Sequence, residues 1–351
     1  MKTYENISLK DCNTFGIDVK ARRMVVLEPG DEVPTLEGEV LVIGAGSNMV
    51  FTRDYDGTVI TLSNTVHLSP LTSHLVTAWG GMVMDDLVQW TLDRDLYGLE
   101  NLSAIPGTVG ASAVQNVGAY GAEAKDYIES VEAYDLLERH LCTFSSGDCQ
   151  FAYRDSFFKH HPGRYLILRV TYRLSREFVP NLSYKALEGL PHDTAQQLRD
   201  AITALRWNKL PRPEEHGSAG SFFKNPVVDE ETYLHLKEKY PDMPDAHPAD
   251  INSPALAGRN LGNPINNLQD LQDLAERREN KYYKLSAGWL IDKAGWKGRT
   301  QGRAGVWPKQ ALVLYNTGGC TGQEVVALAE AIQQDVKQRF GVALDPEAII
   351  I

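Results

Sequence analysis

The sequence predicts an α+β protein with more than one domain, and three observations support this. Its 351 residues exceed what one small hydrophobic core accommodates. Short β-branched runs that stop at glycine alternate with amphipathic helical patterns. Residues 209–213 contain two prolines and form the best linker in the chain, and regions with both strands and helices lie on either side of it.

Local hydrophobic patterns predict the elements of the longer N-terminal region. Two helices are expected, and the first is amphipathic because Leu87, Trp90 and Leu92 fall mostly on one side. No long helix or strand is expected between Gly98 and Gly121, because glycines interrupt the whole stretch. The predicted strands span residues 24–28, 39–43, 58–62, 74–78, 130–134 and 164–172, and the predicted helices span residues 84–95 and 193–208.

The C-terminal region ends with a strongly signalled helix and a short tail. Thr321-x-x-Glu324 is a capping box that begins the helix, and Gly341 ends it. Between them, Val325, Leu328, Ile332, Val336 and Phe340 form an apolar stripe. The tail, residues 342–351, is expected to form a final strand that breaks at Pro346.

Composition and charge exclude several functional classes. The chain has 35 Lys+Arg against 46 Asp+Glu, so its net charge of −11 argues against a nucleic-acid-binding protein, although a local basic pocket for an anionic small molecule stays open. Four cysteines without any CxxC pattern indicate free thiols in a reducing compartment and no metal site. The N-terminus lacks signal-peptide features, and no apolar run reaches about 20 residues, so a cytoplasmic protein without a membrane segment is expected.

Two glycine-rich segments are candidates for binding one large anionic ligand. Gly44-Ala-Gly-Ser-Asn48 follows a strand, and its backbone could approach a phosphate closely, although a plain tight turn has the same pattern. Residues 105–121 contain four further glycines. They fit either close packing of backbone against backbone or a backbone that wraps a flat ligand. Both segments lie within about eighty residues, which favours a single dinucleotide-sized cofactor that contacts both.

Three further positions carry side chains with possible chemistry, and the sequence leaves two interpretations of each. Arg154 is either a surface ion-pair residue or a fork that holds a carboxylate. Ser221, in the segment Gly217 to Pro226, lies either in a structural turn before Phe222 or beside a reacting group. Glu347 is either at a solvated end or a buried acid with a raised pKa, because the tail around it is apolar.

Taken together, these segments resemble the UDP-N-acetylenolpyruvoylglucosamine reductase family, also called UDP-N-acetylmuramate dehydrogenases. Ten motifs stand in the family's order and span nearly the whole chain. Residues 181–184 (Asn-Leu-Ser-Tyr) resemble the tyrosine loop of the family's larger subtype. The ten motifs are Asn13-Thr-Phe-Gly16, Val42-Ile-Gly-Ala-Gly-Ser-Asn48, Ile105-Pro-Gly-Thr-Val-Gly110, Gln115-Asn-Val-Gly-Ala-Tyr-Gly121, Tyr153-Arg-Asp-Ser156, Lys209-Leu-Pro211, Gly217 to Pro226, Ala287-Gly-Trp-Leu-Ile291, Gln310-Ala-Leu-Val-Leu314 with Asn316, and Leu344-x-Pro-Glu347.

The resemblance implies a fold and a domain division. Residues 1–65 and 66–210, the latter joined by the tail 341–351, would form two α+β subdomains of an FAD-binding fold of the vanillyl-alcohol oxidase type. Residues 211–340 would form an α+β substrate-binding domain. FAD would be held non-covalently, since covalent attachment in related folds uses His or Cys and neither occurs in the two glycine-rich segments.

The resemblance also implies a reaction and its residues. NADPH would reduce the flavin, which would reduce the enolpyruvyl ether of UDP-N-acetylglucosamine to UDP-N-acetylmuramate, a peptidoglycan precursor. The protein is expected to be a monomer that serves cell wall biogenesis, and with it cell shape, cell division and the cell cycle. The implied catalytic residues are Arg154, Ser221 as proton donor, and Glu347. The implied cofactor residues are Gly44, Ala45, Gly46, Ser47, Asn48, Pro106, Gly107, Gly110, Ala111, Asn116, Gly118 and Ala119, and the implied substrate residues are Tyr184, Lys209, Lys224, Asn225 and Lys293.

The chain departs from the family pattern at two positions. The family usually has an arginine two residues after the Pro-Glu motif, where this chain has Ile349. Lys293 replaces an expected polar amide, so it is a candidate for the missing positive charge. Two rival functions stay open: a flavin-dependent sugar or alcohol oxidase of the same fold, and a nucleotide-sugar-binding protein that has lost the flavin.

Overall fold

The computed structural model describes residues 1–70, 72–249 and 281–351, and the chain divides into two compact units. None of the helices in these described ranges combines the length and apolarity needed to cross a lipid bilayer. The expected division into three domains, at residues 65, 210 and 340, stays a prediction. Unit 1 comprises Met1–Thr14, Asp18–Ser47 and Arg53–Lys209, and unit 2 comprises Phe15–Ile17, Asn48–Thr52 and Leu210–Ile351.

Unit 1 contains eleven of the described strands and three of the described helices. The strands are β1 (Lys2–Ser8), β2 (Lys20–Leu27), β3 (Val40–Val42), β5 (Tyr55–Leu62), β6 (Leu68–Pro70), β7 (Leu75–Trp79), β8 (Gly118–Ala119), β9 (Ala122–Glu123), β10 (Ile128–Asp135), β11 (His140–Ser145) and β12 (Tyr165–Arg173). The helices are α1 (Met84–Leu92), α2 (Val109–Gln115) and α3 (Ala195–Lys209).

These strands form two larger sheets and one small ribbon. The first sheet has the order β1-β2-β5-β3, in which β1 and β2 are antiparallel while β2, β5 and β3 are parallel. The second sheet has the order β11-β10-β12-β7-β6 and is antiparallel throughout. The ribbon pairs β8 with β9. The inward faces of β7, β10 and β12 supply much of a large buried apolar cluster.

Helix α2 packs closely on the second sheet because its residues are small. An added Cβ on Gly110 would lie 3.1 Å from the Gly80 carbonyl oxygen and 3.2 Å from that of Ile167. On the same helix, the Ser112 hydroxyl lies 3.2 Å from the buried hydroxyl of Tyr172 in β12. A larger residue at Gly110 would force the helix away from the sheet. The second glycine-rich segment is therefore anchored by its own short helix.

Unit 2 contains smaller sheets and three of the described helices. One sheet has the antiparallel order β13-β19-β18-β17, another has the order β14-β16-β15, and β20 pairs parallel with β4. The strands are β4 (Met49–Val50), β13 (Ser218–Ser221), β14 (Val227–Asp229), β15 (His247–Pro248), β16 (Tyr282–Lys284), β17 (Thr300–Gln301), β18 (Ala304–Val306), β19 (Val313–Asn316) and β20 (Ile349–Ile350). The helices are α4 (Glu230–Lys239), α5 (Ala287–Lys293) and α6 (Gly322–Phe340).

Helix α6 confirms the strongest local prediction. The Thr321 hydroxyl accepts the Glu324 N–H and the Glu324 carboxylate accepts the Thr321 N–H, so both halves of the capping box are present. Gly341 ends the helix at φ +70°, a conformation that favours glycine. The Glu324 carboxylate also pairs with the Arg303 guanidinium at 3.1 Å, a contact that the sequence pattern did not predict. The apolar stripe is buried along its whole length.

Other elements differ from prediction at their ends. Helix α1 stops at Leu92, three residues early, and Asp95 then adopts φ +53°. Of the tail, only β20 is a strand, because the preceding residues bond to a different segment of the chain. Asp345 accepts the Lys224 N–H at 2.9 Å, and the Glu347 N–H donates to the Phe222 carbonyl at 2.7 Å.

The capping box gives a prediction about stability in acid. Hydrogen bonding to Arg303, aided by Thr321, lowers the pKa of Glu324 from 4.5 to about 2. A carboxylate with a lowered folded pKa stabilises the fold above its unfolded pKa and loses that contribution as pH falls through the folded value. Glu324→Gln should therefore be less stable than wild type above about pH 5, and the two should converge between about pH 4.5 and 2.

Chemical denaturation across this pH range measures the difference. Glu330→Gln, an exposed glutamate on the same helix, is the control, and it should show a much smaller change. A Glu324→Gln deficit that stayed constant from pH 6 to pH 2 would contradict the assignment of this carboxylate as the titrating group.

Candidate active site

The two glycine-rich segments lie against each other in unit 1. An added Cβ on Gly44 would be 2.7 Å from the Thr108 hydroxyl, and one on Gly107 would be 3.3 Å from the Ser47 hydroxyl. Gly107 has φ +144°, which side chains rarely allow. The segments that were expected to share one ligand are thus neighbours in space.

Gly46 needs to be glycine for a reason other than the expected one. From the sequence, a phosphate of the ligand was expected to occupy the space beside Gly46. In the structure an added Cβ would lie 2.2 Å from the Cys12 carbonyl oxygen and 2.7 Å from the Asn13 Cα, and φ is +60°. The space is therefore filled by the Cys12–Asn13 backbone, which lets the turn approach that segment closely.

Arg154 sits in a turn that is fastened to the end of helix α2. Its backbone has φ +55°, and its guanidinium donates to the Gly118 carbonyl in β8. The Lys159 ammonium donates to the Arg154 carbonyl at 2.7 Å, and the Ser156 hydroxyl donates to the Val114 carbonyl at 2.7 Å. These bonds hold the arginine beside the second glycine-rich segment, next to two of the predicted cofactor residues, Gly118 and Ala119.

Asn116 links the same turn to the residues after α2. It is fully buried and caps α2 at φ +41°. Its amide nitrogen donates to the Ala152 carbonyl at 2.8 Å and to the Glu123 carboxylate at 3.1 Å, and its oxygen accepts the Lys125 N–H at 3.0 Å. The amide therefore supports the Arg154 turn, while a direct contact of Asn116 with a cofactor stays a prediction.

Two residues that sequence reasoning missed, Tyr120 and Arg206, join the predicted substrate residues of unit 1. The Tyr120 ring meets the Tyr184 ring edge-on at 5.4 Å, and the Arg206 guanidinium lies 6.0 Å from the Tyr120 centroid. Arg206 lies one turn before Lys209 on α3, so both cations project from one side of the helix. The helical spacing to Lys209 was the signal that could have identified Arg206.

The environment of this cluster suits an anionic ligand. Burial lowers the pKa of the Arg206 guanidinium and raises the pKa of the Tyr120 phenol. The Arg206 Nε donates to the Ala104 carbonyl at 3.1 Å, which fixes the side chain. A positive charge that has lost part of its hydration gains more from an anionic partner than a fully exposed one does. The cluster therefore presents a partly desolvated positive charge beside two tyrosine rings.

The tyrosine loop is tied to the second glycine-rich segment. The buried Asn101 amide donates to the Tyr120 carbonyl at 2.7 Å and to the Asn181 carbonyl at 2.9 Å. The Asn181 amide donates to the Gly121 carbonyl at 3.0 Å. Tyr184 itself is 45% exposed, so its phenol can still reach a ligand from solvent.

Ser221 lies at the end of an interrupted strand in unit 2. Strand β13 pairs with β19 at Ser218 and Ser221, and the register shifts between these two positions. Gly220 supplies φ +68° within the irregular stretch. Such an interruption redirects a side chain, and here Ser221 is exposed while Phe222 and Phe223 are fully buried. The two phenylalanines therefore anchor the segment, and the serine stays accessible.

The tail brings Glu347 to the same place. Its N–H donates to the carbonyl of Phe222, the residue that follows Ser221, at 2.7 Å. Lys224 is bonded in turn through its N–H to the Asp345 carbonyl at 2.9 Å. Ser221, Lys224 and Glu347 thus stand on two adjacent segments of chain. Glu347 is half-buried, which lies between the two settings that the sequence left open.

The other predicted substrate residues of unit 2 lie on or beside helix α5. The Asn225 side-chain oxygen accepts the N–H of Ala287, the first residue of α5, at 3.0 Å, so the amide nitrogen is oriented as a donor elsewhere. Lys293, the last residue of α5, pairs with the Asp242 carboxylate at 2.9 Å. Its expected role in compensating for Ile349 stays a prediction, and Ile349 itself pairs with Met49.

One group of metal-ligating side chains occurs among the described residues. The ligand atoms of Asp135, His140 and Cys142 lie within 4.8 Å of one another. The Asp135 carboxylate, however, already accepts two bonds from Arg164 and two from backbone N–H groups. Only the histidine and cysteine are then available, which is fewer than a structural metal site normally uses.

Comparison with known proteins places this arrangement in a family. Residues 212–351 match the model for the UDP-N-acetylenolpyruvoylglucosamine reductase C-terminal domain, and residues 33–137 match an FAD binding domain. The chain is 43% identical to the UDP-N-acetylenolpyruvoylglucosamine reductase of Pseudomonas aeruginosa, over 99% of this chain and 98% of that one. The chain belongs to the UDP-N-acetylenolpyruvoylglucosamine reductase family. It is therefore an oxidoreductase with an FAD-binding domain.

Two further relatives agree with this assignment. The chain is 41% identical to the enzyme of the same name from Burkholderia ambifaria, over 97% of this chain and 94% of that one. The crystal structure of UDP-N-acetylenolpyruvylglucosamine reductase from Thermus caldophilus superposes with a TM-score of 0.65 at 21% identity, covering 99% of this chain and 98% of that one. These matches confirm the expected family, and the expected α+β FAD-binding fold is confirmed with them.

The geometry of unit 1 fits FAD. Its two glycine-rich segments meet where Ser47 and Gly107 approach each other, and the Ser47 hydroxyl is the one atom within 4 Å of an added Cβ on Gly107. Turns of this kind, made of small residues, let backbone N–H groups approach a polyanionic cofactor closely. Which individual residues touch the flavin stays a prediction.

The close packing around Gly46 gives a test of whether the Gly44–Asn48 turn is needed for FAD binding. Gly46→Ala should abolish co-purification of FAD, because the new Cβ would displace the Cys12 backbone and with it the turn. The bound FAD per folded protein is measured by absorbance, with circular dichroism as the measure of folding. Gly189→Ala is the matched control, since Gly189 has φ +76° but no atom within 4 Å of an added Cβ. A Gly46→Ala protein with a full complement of FAD would contradict this account.

Proposed function

We propose that this protein catalyses the FAD-dependent, NADPH-driven reduction of UDP-N-acetylglucosamine enolpyruvate to UDP-N-acetylmuramate. The observation that carries the proposal is the main-chain bond from Glu347 to Phe222, because it brings the main chain of Glu347 next to the residue that follows Ser221. Reduction of an enol ether needs one hydride and one proton, so a hydroxyl and a carboxyl on adjacent segments offer a proton donor and a group that can stabilise the developing charge. The family relationship supports the substrate.

The reaction builds charge that this chain's residues can meet. FAD, when bound and reduced, would supply a hydride for the methylene carbon of the enolpyruvyl group. The carbon–carbon π pair moves to the adjacent carbon and its carboxylate, where negative charge accumulates. The Arg154 guanidinium matches a carboxylate with two parallel N–H groups, and a protonated Glu347 would donate to the same carboxylate. Both contacts strengthen as charge develops, so they favour the transition state.

Ser221 would complete the reaction by protonating the adjacent carbon, which carries the carboxylate. An alcohol is a weak acid in water, so it can act only against a strongly basic, enolate-like carbon. The proton passes from the Ser221 hydroxyl to that carbon, and a neighbouring group or solvent then restores the hydroxyl. Its exposed position in β13 leaves it accessible to both substrate and solvent.

The remaining predicted residues would bind the nucleotide part of the substrate. Tyr184 would close over the diphosphate, Lys209 and Lys224 would supply positive charge for the polyanionic nucleotides, and Asn225 would contact the substrate. Arg206 lies beside the first two on the same unit. NADPH would reduce FAD and leave before the sugar nucleotide binds, with FAD held non-covalently. The enzyme would act as a cytoplasmic monomer without nucleic-acid or membrane partners, in cell wall biogenesis and so in cell shape, cell division and the cell cycle.

Replacing Arg154 tests the carboxylate fork. Arg154→Lys should lower kcat/KM for the enolpyruvyl nucleotide by roughly 10- to 100-fold, the range for losing a charged hydrogen bond. Arg139→Lys is the matched control, because Arg139 is an exposed arginine with a similar φ of +60°. Steady-state assays compare the two variants. Near wild-type kinetics for Arg154→Lys would remove this residue from the mechanism.

Replacing Ser221 should separate the two half-reactions. Reduction of FAD by NADPH needs no proton donor at the substrate, so Ser221→Ala should leave it within a few-fold of wild type. Reoxidation by the enolpyruvyl nucleotide should slow by at least ~10²-fold, the low end for loss of a positioned acid. Ser221→Cys should recover part of that loss, because a thiol is a stronger acid than an alcohol.

Stopped-flow absorbance of the flavin measures each half separately. If Ser221→Ala slowed both halves equally, or neither, the serine would be a structural loop residue and another group would be the acid.

A further inference from the structure

We propose that Asn48 is the positioning residue for Glu347, holding the main chain of that residue through its side-chain amide. The inference rests on the proposed function, because it assigns Asn48 a part in the step for which Glu347 is needed. From the sequence, Asn48 was expected to belong, with Gly44 to Ser47, to a turn that binds a phosphate. The structure gives its side chain a different partner.

The contact is specific to the residue that carries the carboxyl group. The Asn48 Nδ2 donates to the Glu347 carbonyl at 3.2 Å. The Asn48 backbone contributes as well, because its carbonyl accepts the Ile349 N–H at 2.9 Å. Asn48 therefore bonds to the tail on both sides of Ala348, through its side chain to Glu347 and through its main chain to Ile349. Strands β4 and β20 continue this pairing to Val50.

On its other side, Glu347 is held by the segment that bears Ser221. The Glu347 N–H donates to the Phe222 carbonyl at 2.7 Å. The N–H and C=O of Glu347 are thus both bonded, one to each neighbouring segment. These two bonds fix where the main chain of Glu347 lies, and with it the point from which its carboxyl group extends. Losing the Asn48 bond would free the carbonyl end and let that point drift, which is costly for a catalytic group.

Asparagine suits this position better than its near relatives. The Glu347 carbonyl is an acceptor, so it needs a donor from residue 48. An ionised aspartate has the same shape but would place an acceptor oxygen against that carbonyl, and alanine would leave it without this bond. We therefore expect Asn48→Asp to be at least as damaging as Asn48→Ala.

Thr52 provides a matched control on the same tail. Its hydroxyl donates to the Ile351 carbonyl at 2.7 Å, which is also a side-chain bond to a tail carbonyl. Thr52→Val removes this bond without touching the main chain of Glu347. A general loosening of the tail should affect Thr52→Val and Asn48→Ala alike, whereas positioning of Glu347 should affect only Asn48→Ala.

The experiment is a double-mutant cycle on the holoenzyme, with flavin reoxidation by the enolpyruvyl nucleotide as the rate. Asn48→Ala should slow reoxidation about tenfold or more, the scale expected for neighbouring groups that act together. Asn48→Asp should slow it at least as much as Asn48→Ala. In the Glu347→Gln background Asn48→Ala should add less than about twofold, since the group it positions is already disabled. Thr52→Val should change the rate less than about threefold.

A second readout concerns binding alone. FAD titrated into apoprotein, followed by fluorescence quenching, should give a Kd for Asn48→Ala within about threefold of wild type. A loss of FAD affinity of about tenfold would instead make Asn48 a flavin ligand and overturn the proposal.

The remaining outcomes are distinguishable from one another. Multiplicative effects of Asn48→Ala and Glu347→Gln, equal slowing by Thr52→Val, or a milder effect of Asn48→Asp than of Asn48→Ala would overturn the positioning role. Normal reoxidation by Glu347→Gln would show that Glu347 has no catalytic part, so the proposed function fails at that residue and the inference fails with it. Slow reoxidation by Glu347→Gln with normal reoxidation by Asn48→Ala would overturn the inference alone.

Discussion

The main chain of Glu347 is the point on which the arrangement of unit 2 depends. Its N–H bonds to Phe222 and its carbonyl accepts from Asn48, so it joins three segments that are far apart in sequence. The return of the tail brings the main chain of Glu347 beside Phe222, the residue that follows Ser221. The buried rings of Phe222 and Phe223 hold the receiving segment still. Burial of these two rings thus holds in place the segment to which the Glu347 main chain is bonded.

In unit 1, small residues rather than buried rings bring distant segments of chain together. Glycines allow the turn at Gly46 to lie against the Cys12–Asn13 backbone and allow α2 to lie against its sheet. The end of α2 then supports the Arg154 turn through Ser156 and Asn116. The glycine-rich turns and the Arg154 turn are consequently built on one base, and the proposed roles of both in binding and charge stabilisation require such preorganisation.

The sequence predicted what is encoded locally. The Thr321–Glu324 capping box and the stripe of α6 depend on residues within a few turns, so they were predicted correctly. The family resemblance supplied Ser221 and Glu347, but no local pattern shows that their segments pair. Arg303 as the partner of Glu324, and the Cys12 backbone beside Gly46, likewise come from segments distant in sequence. The two-residue β20 reflects long-range bonds of the tail that outweigh local propensity, whereas α1 ends early at a local turn in which Asp95 adopts φ +53°.

If this protein reduces an enolpyruvyl nucleotide with its flavin, one anaerobic experiment tests that activity most directly. NADPH should bleach the flavin absorbance of the holoenzyme without oxygen. One equivalent of UDP-N-acetylglucosamine enolpyruvate should then restore the oxidised spectrum and yield one equivalent of UDP-N-acetylmuramate. A reduced flavin that ignores this nucleotide and recovers only when oxygen is admitted would contradict the account and indicate an oxidase of the same fold.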